Sequence, residues 1–271
     1  MITAIRRRIL DRCILRPTRH PVALTGGQRI DFEHDGKPLE AFFHRGIREH
    51  HDVSPPRLII KFPGTAGRGE RAGRFPADLI AGDAWDVWSW NPPGYGGSGH
   101  RASLNRMGPA AIDYVDSVVQ RTGGQPPIWL LGNSLGCCVA MHVAKTLAAE
   151  CPIDGIVLKN PPPLRDVVGR IAERYPGRRL MQPVIDSLPP AMDLSVTTPH
   201  VKRPLVLVQS GADRLVPPEY QDRVLMWHDG PHEKVVLQGL DHHELVSPEQ
   251  NRAIARALVW LLERATVSRP L

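Results

Sequence analysis

The chain has 271 residues, 42% of them hydrophobic, with 34 Lys+Arg against 28 Asp+Glu and four cysteines. That length can bury one large core, so a single domain over residues 1–271 is expected. No apolar run approaches the ~20 residues that cross a bilayer. No early segment pairs an apolar stretch with a cleavage site, and the net charge of +6 is scattered without basic-aromatic interleaving, so neither a membrane span, nor a leader, nor a nucleic-acid partner is expected. Cys13, Cys137, Cys138 and Cys151 show no metal spacing, and a bond between the adjacent Cys137 and Cys138 would be strained. They read as reduced packing residues of a cytoplasmic protein, with no metal.

Along the chain, residues 1–16 read as a short basic amphipathic helix, with Ile2, Ile5, Ile9 and Cys13 at helical spacing and Arg6, Arg7, Arg8 and Arg12 between them. Such a helix can lie on an anionic membrane or pack on its own domain, and the short apolar face favours packing. Ile30 to Arg45 reads as a hairpin turned by Asp35-Gly36. His44, His50, His51 and Asp52 fall in a polar stretch with nothing to fix ligand geometry, so a solvated loop is preferred to a metal site.

Arg57 to Phe62 is an apolar strand that runs into the turn Pro63-Gly64-Thr65-Ala66-Gly67. Free amides there, Thr65 foremost, are candidate donors to an oxyanion. Trp85 to Trp90 is the next strand, followed by a second glycine turn, Gly94-Tyr95-Gly96-Gly97-Ser98-Gly99-His100. Ser98 and His100 there are a rival pair, but Ser98 lacks a strand-turn-helix setting and reads as packing. A helix is predicted over Met107 to Gln120, with Ile112, Val115 and Val119 on its buried face.

Ile128 to Leu131 is a short apolar strand that ends in Gly132-Asn133-Ser134-Leu135-Gly136 and continues into helix-forming sequence to about Glu150. A strand, a tight turn and a helix set a serine at the apex, with the Leu135 amide at the helix start facing any oxyanion beside it. Ile156 to Lys159 is a further strand, ending at Asn160. The stretch 164–203 is too long for an ordinary connection and carries Leu180, Met181, Val184, Ile185, Leu188 and Met192. It is read as a lid insertion of short helices. The strand Pro204 to Gln209 ends near Asp213, and the strand Lys234 to Gln238 near His242 and His243. Ser247-Pro248-Glu249-Gln250 opens the last helix, with Ser as N-cap, Pro at the first helical position and Gln at the third.

Strands alternating with helices imply an α/β fold, a mostly parallel sheet covered on both faces. All three strand ends carrying Ser134, Asp213 and His242 then lie on one edge. An imidazole takes the serine proton near neutral pH, and a carboxylate holds that imidazole in the needed tautomer. The carboxylate is Asp213 rather than the neutral Asn160 or the more distant Asp166. His242 is preferred to His243, and Asp241 is left to loop hydrogen bonding. Asp213 also has a plainer reading, as a cap for the helix after Pro217-Pro218.

These motifs together resemble the α/β-hydrolase superfamily over residues 20–265. Gly132-Asn133-Ser134-Leu135-Gly136 matches its nucleophile elbow, and Pro63-Gly64-Thr65-Ala66-Gly67 stands at its oxyanion loop. Gly94 to Gly99 resembles its Gly-Tyr-Gly-x-Ser-x-Gly turn, Gly211-Ala212-Asp213 its acid turn, and Gly239-Leu240-Asp241-His242 its histidine loop. The loop set looks most like small esterases and dienelactone-hydrolase-like members. Pro63 replaces the family's loop histidine and has no amide, which leaves Thr65 as the donor. The resemblance implies a serine hydrolase of an ester or thioester that works without a cofactor, with Ser134, Asp213 and His242 catalytic and the Thr65 and Leu135 amides in the oxyanion hole. Gly64 and Tyr95 are expected to touch a small acyl substrate. A second reading is an acyltransferase or editing thioesterase fed by an acyl carrier. A third, from another class, is a non-catalytic binding protein of the same fold, which an intact triad disfavours.

Overall fold

The computed structural model describes residues 2–24, 26–47, 57–80, 85–123, 125–173 and 178–267. Helix α1 (Ile2–Ile14) precedes a hairpin, β1 (Gln28–His34) and β2 (Lys37–His44), whose turn places Asp35 and Gly36 at positive φ. Strands β3 (Arg57–Phe62), β4 (Trp85–Trp90), β5 (Ile128–Asn133), β6 (Ile153–Lys159), β7 (Leu205–Ser210) and β8 (His232–Leu237) complete an eight-stranded sheet of order β1-β2-β4-β3-β5-β6-β7-β8. The pairs β1/β2 and β2/β4 are antiparallel, and every other pair is parallel.

The central strands are apolar on both faces over most of their length because both faces are covered. Leu58, Ile60, Leu130, Ile156, Leu158, Leu205 and Leu207 point into one core, with helices α2 (Leu104–Arg121) and α3 (Leu135–Thr146). Their neighbours Ile59, Trp129, Leu131, Val157, Val206 and Val208 point into the other, against α8 (Pro248–Val267). The period of two along a strand makes this division. Helix α8 starts on the expected capping box: Gln250 N donates to Ser247 Oγ at 3.3 Å, and Ser247 N to Gln250 Oε1 at 2.9 Å.

Several expectations shift. Helix α2 begins earlier than predicted and buries Met107, Ala110, Ala111, Tyr114, Val115 and Val118, while Ile112 and Val119 sit at the margin of its face. Helix α3 ends at Thr146 rather than near Glu150, and the chain leaves it through turns. His44 closes β2 and is buried rather than looped, while His50, His51 and Asp52 lie outside the described residues. Between β6 and β7 the chain forms short helices: α4 (Leu164–Ala172), α5 (Arg178–Ile185) and α6 (Leu194–Thr197). Arg165 ties them together, with Nε 2.5 Å from Asp193 and Nη1 3.5 Å from Asp186. Helix α7 (Pro218–Met226) follows β7.

The largest correction concerns α1. It packs against α5 and buries Leu10 and, beyond its end, Leu15, whereas Ile2, Ile5, Ile9 and Cys13 face outward. The apolar stripe that dominates the sequence pattern is thus not the face that meets the domain.

Candidate active site

Ser134 is the single residue between β5 and α3. Its φ of 50° and ψ of −120° are unfavourable for a residue with a Cβ. Its surroundings hold it there: Ser134 N donates to Lys159 O at 2.8 Å, and Cys137 N to Ser134 O at 2.8 Å. Gly136 lets α3 cross the end of β3, since a Cβ on it would lie 2.0 Å from Phe62 O.

The parallel sheet brings the three predicted side chains together. His242 Nε2 lies 3.1 Å from Ser134 Oγ, and His242 Nδ1 lies 2.6 Å from Asp213 Oδ2. An imidazole protonated on Nδ1 donates to the carboxylate and offers Nε2 to the serine hydroxyl. Both side chains are almost fully buried. Asp213 does not cap the helix after Pro217-Pro218, which has no side-chain cap, but closes the turn that precedes it. Its Oδ1 accepts from Leu215 N at 2.9 Å and Val216 N at 2.8 Å, while Gln221 Nε2 donates to Oδ2 at 3.2 Å. One oxygen caps the turn and the other faces the imidazole.

The rivals are engaged elsewhere. Asp166 pairs with Arg223 at 2.8 Å. Asn160 bridges two strand ends, donating to Ser210 Oγ at 3.0 Å and accepting from Ser210 N at 2.8 Å. Ser98 Oγ donates to Asn91 O at 2.7 Å, and the His100 Nε2 is 2.8 Å from His34 O. His243 stands edge-on to His242, with ring centroids 4.8 Å apart, and forms part of a cavity wall. Asp241 clamps the histidine loop to the acid turn. It accepts from Arg214 N at 3.0 Å and His242 N at 2.8 Å and pairs with the Arg214 guanidinium at 2.7 Å. These donors hold its carboxyl down at about 2.

Thr65 and Leu135 line the same cavity as Ser134. Neither amide has an acceptor among the described residues, and Leu135 opens α3, where amides lack intrahelical partners. Gly64 packs on the elbow, where an added Cβ would come 3.3 Å from Ser134 Cβ. Tyr95 sits differently from expectation. It is fully buried, and its hydroxyl donates to Thr65 O at 2.8 Å, beside Arg16 N at 3.2 Å. It braces the Thr65 turn from behind, and burial pushes its phenol up to about 12.

The cavity over Ser134 measures about 750 Å³ and is walled mostly by apolar side chains: Leu164, Val167, Val168 and Ile171 from α4, Leu180 and Met181 from α5. Cys13, Ile14 and Arg16 also line it. The contribution of α1 and of His243 was not anticipated, because nothing local to those residues says which distant loop they meet.

The sequence model described as "alpha/beta hydrolase fold" matches residues 62–183. No curated protein matches the sequence. Among solved structures, an esterase of Pyrococcus furiosus superposes with a TM-score of 0.65 at 16% identity, covering 92% of this chain and 98% of its own. Est1E of Butyrivibrio proteoclasticus with bound ferulic acid gives 0.66 at 14%, covering 88% and 99%. A monoacylglycerol lipase of Paleococcus ferrophilus gives 0.55 at 21%, covering 83% and 99%. The sheet, the elbow and these matches give the chain the α/β-hydrolase fold. The dienelactone-hydrolase-like branch is not singled out by them.

Proposed function

We propose that the protein is a serine hydrolase that cleaves a carboxylic ester or thioester through an acyl-enzyme on Ser134. The observation that carries this reading is the relay from Ser134 Oγ through His242 to Asp213, at 3.1 and 2.6 Å, ending on a strained serine beneath an apolar cavity. Esterase and lipase activities named for proteins of the same fold agree with it.

In this mechanism Ser134 Oγ attacks the carbonyl carbon while its proton passes to His242 Nε2. The carbonyl oxygen takes the negative charge and meets the amides of Thr65 and Leu135. Asp213 stabilises the imidazolium. Collapse breaks the bond to the alkoxide or thiolate leaving group, which takes the proton from His242. Water then attacks the acyl-enzyme with His242 again as base, releasing the acid and free Ser134. The apolar cavity suits the acyl portion of a small-molecule substrate.

A fluorophosphonate probe tests the assignment. Mass addition should map to Ser134, and Ser134→Ala should abolish both labelling and hydrolysis across a panel of esters and thioesters of rising acyl length. Labelling of Ser98, or hydrolysis that survives Ser134→Ala, overturns it.

A further inference from the structure

Helix α1 turns its more apolar stripe away from the domain. Ile2 is 63% exposed, Ile5 51% and Ile9 40%, although each could be buried at a gain of roughly 1.5–3 kcal/mol. On a helix of 3.6 residues per turn, Arg6 falls on one side of this stripe, and Arg8 and Arg12 on the other. Arg6, Arg7 and Arg8 make no ion pair among the described residues. The one acid of the helix, Asp11, is turned inward, where it accepts from Leu104 N at 2.9 Å. The outer face of α1 is therefore apolar along its middle and cationic along both flanks.

The stripe also leads somewhere. Cys13 continues it by one turn and lines the cavity over Ser134. Helix α5, against which α1 packs, presents Leu180 at the same cavity with 80% of its surface exposed, and Ile171 of α4 adds a further exposed apolar side chain. The stripe thus runs toward the cavity mouth through Cys13, and exposed apolar side chains grouped in this way mark an interaction surface.

We propose that α1 and the cavity rim dock on an anionic phospholipid bilayer, lying in its interface without crossing it. An amphipathic helix whose apolar face is flanked by arginines gains from acyl-chain burial and from headgroup charge together. No helix of the described residues is long and apolar enough to span. The charge pattern selects this occupant over a second copy of the chain, because a symmetric pair would set Arg6, Arg8 and Arg12 against their own counterparts. Docking in this orientation turns the cavity toward the bilayer, so an ester held among lipids would reach Ser134 without passing through water. That last consequence rests on the hydrolase reading, but the docking itself does not.

The test is flotation of the full chain with vesicles of phosphatidylcholine alone and of phosphatidylcholine with phosphatidylglycerol. Wild type should float with the anionic vesicles only, and less as salt rises. Ile5→Ser/Ile9→Ser should weaken binding about tenfold or more. Arg6→Gln/Arg8→Gln/Arg12→Gln should weaken it and remove the salt dependence. Both variants should keep the wild-type melting curve by circular dichroism, since every changed side chain lies on the helix's outer surface or flank. Ser134→Ala should float as wild type does, so ester hydrolysis that survives in this variant, with flotation retained, would sink the catalytic reading and leave this one standing. Equal binding to both vesicle types, no binding, or wild-type binding by the isoleucine variant overturns the proposal. So does a wild-type dimer that the isoleucine variant converts to monomer by sedimentation, which would give the stripe to a second copy.

Discussion

At the scale of single residues, two adjacent histidines and two aspartates separate cleanly. His242 lies between Ser134 and Asp213, whereas His243 touches the cavity only as wall. His242→Ala should therefore remove most of the turnover, while His243→Ala should change KM more than kcat. The reverse result would exchange their roles. Asp213→Asn should lower turnover by about 10² to 10⁴, as the loss of an orienting carboxylate does in comparable triads. Asp166→Asn should stay within a few-fold of wild type, because it breaks a partly exposed pair with Arg223, while the imidazole's Nδ1 is met by Asp213. Turnover of the two folded variants on one ester decides between the acids. The elbow, the acid turn and the meeting of Asp213 with His242 were legible from strand ends, since a parallel sheet carries its strand termini to one edge. Tyr95 was not. Its glycine-rich neighbourhood marks a turn but not the direction of the ring, and only the packing of the Thr65 turn over it settles that its hydroxyl points backward.

At the scale of elements, the stretch 164–203 divides by burial. Leu180 and Met181 face the cavity, whereas Val184, Ile185, Leu188 and Met192 are buried in the main core. Truncation of Leu180 and Met181 to Ala should shift acyl-length preference with little effect on short esters. Ile185→Ala should instead cost about 2–5 kcal/mol of stability, read by denaturant unfolding, with the preference unchanged. An equal loss on all esters from the Leu180/Met181 variant would assign those residues to folding. The sequence marks all six as apolar at helical spacing, but a single helical face can serve a core or a cavity equally well. Helix α1 shows the same ambiguity in stronger form. Its periodic isoleucines read as the packing face, and its packing is done by Leu10 and the residues that follow.

At the scale of the whole molecule, Lys61 joins the sheet to the loop beyond the Thr65 turn. It lies on β3, nearly fully buried, and its ammonium donates to the carbonyls of Ala72, Gly73 and Phe75. Burial pushes it down from 10.5 to about 7, with Asp78 opposing the shift. Between those two values the unfolded chain holds a proton that the folded chain does not, so this group makes stability rise with pH from about 7 to about 10. Below about 7 both states are protonated, and the group contributes no slope. Lys61→Met should flatten the dependence of the urea midpoint on pH across that window. An unchanged slope would show that the lysine keeps its proton on the three carbonyls.

The sequence alone determined the alternation of strands and helices, the hairpin, the capping box of α8 and the order of serine, acid and histidine along the chain. Each follows from signals confined to a few neighbouring residues: period, turn chemistry and the break between strand and helix. Tertiary structure decided which of two adjacent histidines meets the serine, which apolar residues face a cavity and which a core, that Tyr95 braces a turn, and which face of α1 the domain leaves uncovered. These are contacts between segments far apart in the chain. Burial rewards whichever apolar face the neighbouring element reaches, and a residue's local pattern does not say where that neighbour lies.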